Sequence, residues 1–182
     1  MELGKRIMII GSAGAGKSTL ARRLGEILGL EVFHLDSLFW RPGWVTPPKE
    51  EWHGTLRALA TRDSWIIDGN YGNSLGIRLP RAQTILFLDL PRWTCLWSVI
   101  ARKLAHRGGK TRPDMAAGCP EKIDWEFLAW VYNFNRDSRP KVVESLASCR
   151  PDQQVITLTS RAEMRAFLEN AGAGQGRRPG RQ

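Results

Sequence analysis

From Gly11 to Thr19 the chain reads Gly-Ser-Ala-Gly-Ala-Gly-Lys-Ser-Thr, a match to G-x-x-x-x-G-K-[ST]. Glycines at this spacing let successive backbone N–H groups turn inward as an anion nest, and a helix that follows aims its N-terminal donors at the same point. Gly11, Ser12, Ala13, Gly14, Ala15 and Gly16 would form the cradle. Lys17 supplies a mobile positive charge for β- and γ-phosphates, and Ser18 a hydroxyl for Mg²⁺. A chain this long matches the pattern by chance on the order of one time in a hundred. Here the motif also follows an apolar run and opens a helical pattern, as its mechanism requires.

Other residues could complete such a site. Asp36, Asp68 and Asp89 each close a short apolar run. In parallel α/β sheets ligands sit beyond the carboxyl ends of the strands, where a carboxylate can hold a nucleotide-bound Mg²⁺ directly or through water. Asp68 precedes Gly69, which permits close approach of a ligand, so Asp68 is the preferred metal-side acid. Asp89 is followed by Pro91 and Arg92 and suits the start of a helix. Asp36 could orient or deprotonate an acceptor group, or cap the segment after it. The stretch 107–120 carries Arg107, Lys110 and Arg112 among glycines, the composition of a cationic lid that closes over phosphates as charge moves between oxygens. Arg136 and Arg139 could meet it from the next helix. Eight tryptophans are many for this length, and Trp40, Trp44 and Trp52 crowd the segment after Asp36. They pack a core or line a site for a flat acceptor.

The elements that must position these residues follow from periodicity. Residues 6–10, 31–35, 65–68, 84–90 and 154–158 read as strands, several of them continuously apolar as in parallel sheets covered on both faces. Helical spacing marks 18–30, 49–62, 91–106, a long helix 121–147 broken near Pro140, and 160–170. Strands alternating with helices predict a parallel α/β sandwich in one domain, residues 1–170, with an insert at 37–63 whose tryptophans could line an acceptor site. Residues 171–182 are Gly-rich with three arginines and no acid, and are expected to be a disordered tail.

At 182 residues, 42% hydrophobic and 25% charged, the composition excludes wholesale disorder. No apolar run is long enough to span a membrane. Lys5 and Arg6 precede an apolar stretch as in a secretory signal, but it runs into Gly-Lys-Ser-Thr, so that reading is rejected. Cys95, Cys119 and Cys149 form neither a disulfide framework nor a CxxC pair, which predicts a reducing, cytoplasmic home. The net charge is +9, of which the tail supplies three. Such charge attracts polyanions, nucleic acid and nucleotide phosphates alike. No nucleic-acid-binding module is readable, and nothing in the sequence reports an oligomeric state.

Taken together, these residues resemble the adenylate-kinase/shikimate-kinase branch of P-loop phosphotransferases. More closely, HLDSLFWRPGW, WIIDGNY, LDLPR and the GCPE…W…YNF run resemble the bacterial topology modulation (FlaR-like) proteins over roughly residues 5–170. The resemblance implies a three-layer nucleotide-kinase-like fold with a five-stranded parallel sheet ordered 2-3-1-4-5. It implies ATP and Mg²⁺, with Gly14, Gly16, Lys17, Ser18 and Thr19 on the phosphates, Asp68 near the metal, Arg102 near the adenine, and Arg107 and Arg112 acting from the lid. Adenylate kinases continue D-G-F-P-R after strand 3, whereas Asp68-Gly69 is followed here by Asn70-Tyr71. The acceptor site is then expected from Asp36, Arg41, Gly69, Asn70 and Arg78, the last replacing the missing arginine. The leading expectation is a kinase passing the ATP γ-phosphoryl to a small-molecule acceptor, a nucleotide or nucleoside among the candidates. The alternatives are an ATP-regulated nucleic-acid-associated protein and a nucleotide-binding module with weak ATPase activity.

Overall fold

The alternating direction of side chains along the strands divides the protein into two apolar layers. In the computed structural model, which describes residues 2–105, 118–119 and 124–175, the sheet comprises β1 (Arg6–Gly11), β2 (Val32–His34), β3 (Trp65–Asp68), β4 (Thr84–Leu88) and β5 (Gln154–Leu158). All neighbouring pairs are parallel, in the order β2-β3-β1-β4-β5. The expected architecture and order are therefore observed. Successive side chains of a strand point to opposite faces, so Ile7, Ile9, Ile66, Leu86 and Leu88 enter one core and Met8, Ile10, Ile67, Ile85 and Phe87 the other.

The first core is covered by α1 (Lys17–Leu28), α5 (Arg92–Ala105), α6 (Trp125–Asp137) and α8 (Arg161–Gln175). The second is covered by α3 (Lys49–Ala60), α4 (Leu75–Arg78) and α7 (Arg139–Ala147). β3 and β4 are buried along their whole length, whereas the edge strand β5 alternates, as a half-covered strand must.

Three boundaries differ from expectation. β2 stops at His34 because Leu35 already opens the short α2 (Leu35–Phe39). The long helix after the lid divides at Ser138, with Pro140 in the first turn of α7, where its missing N–H costs nothing. The final helix runs to Gln175, so residues 171–175 are helix and not tail. Met164, Phe167 and Ala171 are buried at helical spacing against the first core, and Ala171 extends that face. Residues 176–182 lie outside the described residues.

A carboxylate introduced at Ala171 would have no partner in this apolar setting. Ala171→Asp is expected to lower unfolding free energy by about 3 kcal/mol in urea titrations; an unchanged midpoint would place residue 171 outside the fold.

Candidate active site

The register sets the site. His34 and Ile9 lie beside Asp68, and Gly11 beside Leu88, so the carboxyl ends of four strands meet at one edge. There β1 runs into the glycine loop, and α1 begins at Lys17 after Gly16, whose φ is 95°. Gly14 has φ 78°, and a Cβ on it would lie 2.2 Å from the carbonyl oxygen of Cys95. The loop can lie this close to α5 only as glycine. No side chain caps α1 and its first turn holds no acid, so its terminal N–H groups are left for an anion. Lys17 Nζ bends back to donate to the Ser12 carbonyl at 3.0 Å.

A cleft of about 940 Å³ opens from this loop. Ala13, Gly14, Gly16, Lys17, Ser18 and Thr19 line it. Gly11, Ser12 and Ala15 are buried behind and shape the loop without lining the cleft. Asp68 lines it as well. Its Oδ2 lies 2.9 Å from His34 Nδ1, and its buried Oδ1 has no hydrogen-bond partner. An unpartnered carboxylate oxygen in a cleft that Ser18 also lines fits Mg²⁺, which takes one or two carboxylates and fills its remaining positions with phosphate and water. Asp89 instead receives a bidentate pair from Arg139, with N···O distances of 2.7 to 3.0 Å, and does not line the cleft. Arg139 is thereby committed and does not meet phosphates. The described lining holds five cations (Lys17, Arg22, Arg102, Lys141, Arg161) against two acids (Asp36, Asp68), a balance that favours a polyanion.

The opposite wall is built by the segment after β3. Asp36 and Asn70 line it, with Gly69 between Asp68 and Asn70. Gly69 has φ 146°, and a Cβ there would strike Leu35 at 2.7 Å. Tyr71, given no role above beyond its departure from the adenylate-kinase pattern, donates its hydroxyl to Asp36 Oδ1 at 2.7 Å. Burial and the adjacent carboxylate push the Tyr71 phenol far above its ordinary range, so it remains a protonated donor. Trp40 and Trp44 meet edge to face at 5.2 Å and flank this wall. Trp44 holds φ 65°, a strained conformation for a bulky residue. His34 and Tyr71 could not have been found from spacing, since only the fold brings each to its aspartate.

Several expected site residues take other places. Arg78 does not reach into the cleft. It is fully buried, and its guanidinium donates to the carbonyls of Gly69 at 3.0 Å, Asn70 at 3.2 Å and Tyr71 at 3.4 Å. Arg41 pairs with Glu51 at the surface and Arg136 with Asp137, both outside the lining. Arg136 sits on the solvent face of α6, where a charge gains little from a neighbour. Arg102 lines the cleft from α5. Arg107 and Arg112 lie outside the described residues, as does most of the expected lid.

No protein-family model matches the chain. A stretch of 61 residues is 34% identical to part of the pentafunctional AROM polypeptide of Clavispora lusitaniae, covering 34% of this chain and 3% of that protein. Among solved structures the fold is similar to shikimate kinase from Acinetobacter baumannii in complex with shikimate, at TM-score 0.59 and 18% identity over 92% of this chain and 90% of that one. It is likewise similar to shikimate kinase from Bacteroides thetaiotaomicron, at TM-score 0.54 and 16% identity over 94% and 98%. The chain has the P-loop kinase fold.

Arg78→Met removes the donors beneath three carbonyls, and buried acceptors left unpaired are costly. The variant is expected to lose about 3 kcal/mol of stability with no ligand present, read from thermal or urea unfolding. A contact with an acceptor alone would leave the unliganded protein unchanged.

Proposed function

We propose that the protein is an ATP-dependent phosphotransferase that passes the γ-phosphoryl group to a hydroxyl of a small-molecule acceptor. The observation that carries this reading is one continuous cleft joining the glycine loop to the Asp36–Tyr71 pair. The loop's N–H groups and Lys17 would hold the β- and γ-phosphates, with Arg102 toward the nucleoside end. Ser18 and Asp68 would hold Mg²⁺, which supplies charge neutralisation between the phosphate oxygens. His34 fixes the Asp68 carboxylate by engaging one of its oxygens. Tyr71 does the same for Asp36, whose other oxygen is left to take a hydrogen bond from the acceptor hydroxyl and draw off its proton as transfer proceeds. Trp40 and Trp44 offer apolar walls that exclude water and suit a flat acceptor.

A nucleotide acceptor gains no support, because the arginine expected for its phosphate, Arg78, is spent beneath the loop. The curated match to a segment of the AROM polypeptide and the likeness to shikimate kinases agree with a small hydroxylated acceptor. Arg107 and Arg112 are proposed as lid cations that strengthen their hold toward the transition state. The resemblance to topology modulation proteins is kept as a family reading carried by its motifs. Among the described residues nothing favours nucleic acid over a nucleotide as the polyanion.

Lys17→Ala should fold with a near-normal melting temperature yet lose at least about 10²-fold in transfer from labelled ATP. Turnover close to that of the unmodified protein would defeat the loop assignment.

Asp36→Asn should lower kcat by at least about 10²-fold while ATP affinity stays within about two-fold, because its role begins only at the acceptor. The acceptor is found first by screening small hydroxy-acids, nucleosides and nucleoside monophosphates. Equal loss of ATP affinity would move Asp36 from the acceptor side to the nucleotide side.

A further inference from the structure

α5 presents three faces. Cys95 and Val99 are buried in the first core, while Ser98 and Arg102 line the cleft. Trp93, Trp97, Ile100 and Leu104 form the third, spaced 4-3-4 and falling within about 60° of arc at 100° per residue. They are 61%, 68%, 36% and 54% exposed. Tyr132 of α6 extends the stripe, meeting Trp93 edge to face at 5.7 Å. Isolated surface apolar residues need no explanation, but a contiguous stripe with two indoles marks an interaction surface. A 4-3-4 spacing is also that of a helix seam.

We infer that this stripe is the contact of a symmetric homodimer in which α5 packs antiparallel against α5 of a second copy. The positions are self-complementary: about a two-fold centred between Ser98 and Val99, Trp93 faces Leu104 of the partner subunit and Trp97 faces Ile100 of the partner subunit. Each pair sets a large side chain against a smaller one, as interdigitation requires. One flank of the stripe carries Thr94 and Ala101, small enough to let two helices approach to the ordinary 8–10 Å. A lipid surface gains nothing from a small flank. The exposed parts of the five side chains sum to roughly 500–600 Å², most of the ~800 Å² that each partner gives to a standard interface. A closed two-fold contact uses the same patch on both copies, so nothing further is needed to complete it.

The other flank carries Lys103 and Arg92, whose guanidinium lies over the Tyr132 ring at 5.0 Å. Burial of an apolar stripe is not an electrostatic attraction, so the dimer should persist from about 50 to 500 mM NaCl. Binding to an anionic membrane or nucleic acid weakens over the same range.

Sedimentation velocity of the full chain at about 1–100 µM tests this directly. The expected result is a dimer that persists at about 500 mM NaCl, and a dimer Kd raised at least about 30-fold by either Trp97→Glu or Ile100→Glu. Circular dichroism of both variants should match the unmodified chain, since both positions are exposed. A monomer throughout the concentration range would overturn the inference. So would a dimer insensitive to both substitutions, which would place the interface elsewhere. A monomer that co-sediments with phosphatidylserine vesicles, and loses this with Trp97→Glu, would overturn it in favour of a lipid surface.

Discussion

The buried guanidinium of Arg78 is the interaction on which the site's geometry depends. Taking a cation out of water costs several kcal/mol unless its donors are satisfied and its charge is balanced. Here three consecutive carbonyls accept from its two terminal nitrogens, Nε is left without a partner, and the Asp68 carboxylate supplies opposing charge. Burial pushes its pKa down to about 10, which leaves it charged at neutral pH. The loop after β3 is therefore wrapped around a cation that admits few other arrangements. That wrapping carries Gly69 against Leu35, aims Tyr71 at Asp36, and sets Asn70 on the cleft wall.

A second constraint acts from the opposite side. The glycine loop lies so close to α5 that any side chain at Gly14 would collide with the Cys95 carbonyl. Phosphate cradle and α5 are thus fixed to one another by backbone contact, and the cations on α5 and α8 are carried to the cleft with them. Arg161 donates to Ser98 at 2.7 Å, tying α8 to α5 across the mouth of the site. The cleft is held between a loop fitted to a helix and a loop fitted to a cation.

Much of this was legible before the structure. The glycine loop and the strands themselves rest on patterns that are local, spacing and apolar runs, while the strand order rests on the resemblance; the D-G step set Asp68 apart from Asp89, and Asp68 is the one of the two that lines the cleft. What was misread was long-range. Arg78, Arg41 and Arg136 are cations at plausible distances along the chain, but sequence does not tell whether an arginine lies over a loop or under it. Composition assigned residues 171–175 to a tail, although Met164, Phe167 and Ala171 continue the apolar spacing of the helix. The glycines and alanines there simply outweighed a weak periodic signal.

The electrostatics of the two ends of the cleft follow from these placements and differ in kind. At the glycine-loop end the donors are backbone amides and the cations Lys17, Arg102 and Arg161, which the proposed function would turn toward phosphates. At the far wall, Tyr71 stays protonated because burial and Asp36 both oppose its ionisation. It therefore serves Asp36 as a fixed donor to one oxygen and cannot itself act as the base. Among the described residues the second oxygen of Asp36 accepts no hydrogen bond, and it belongs to a residue that lines the cleft. Under the proposed function, a wall of this kind would orient a neutral hydroxyl more readily than it would neutralise an anion, and acceptor and nucleotide would be handled by different chemistry within a single cavity.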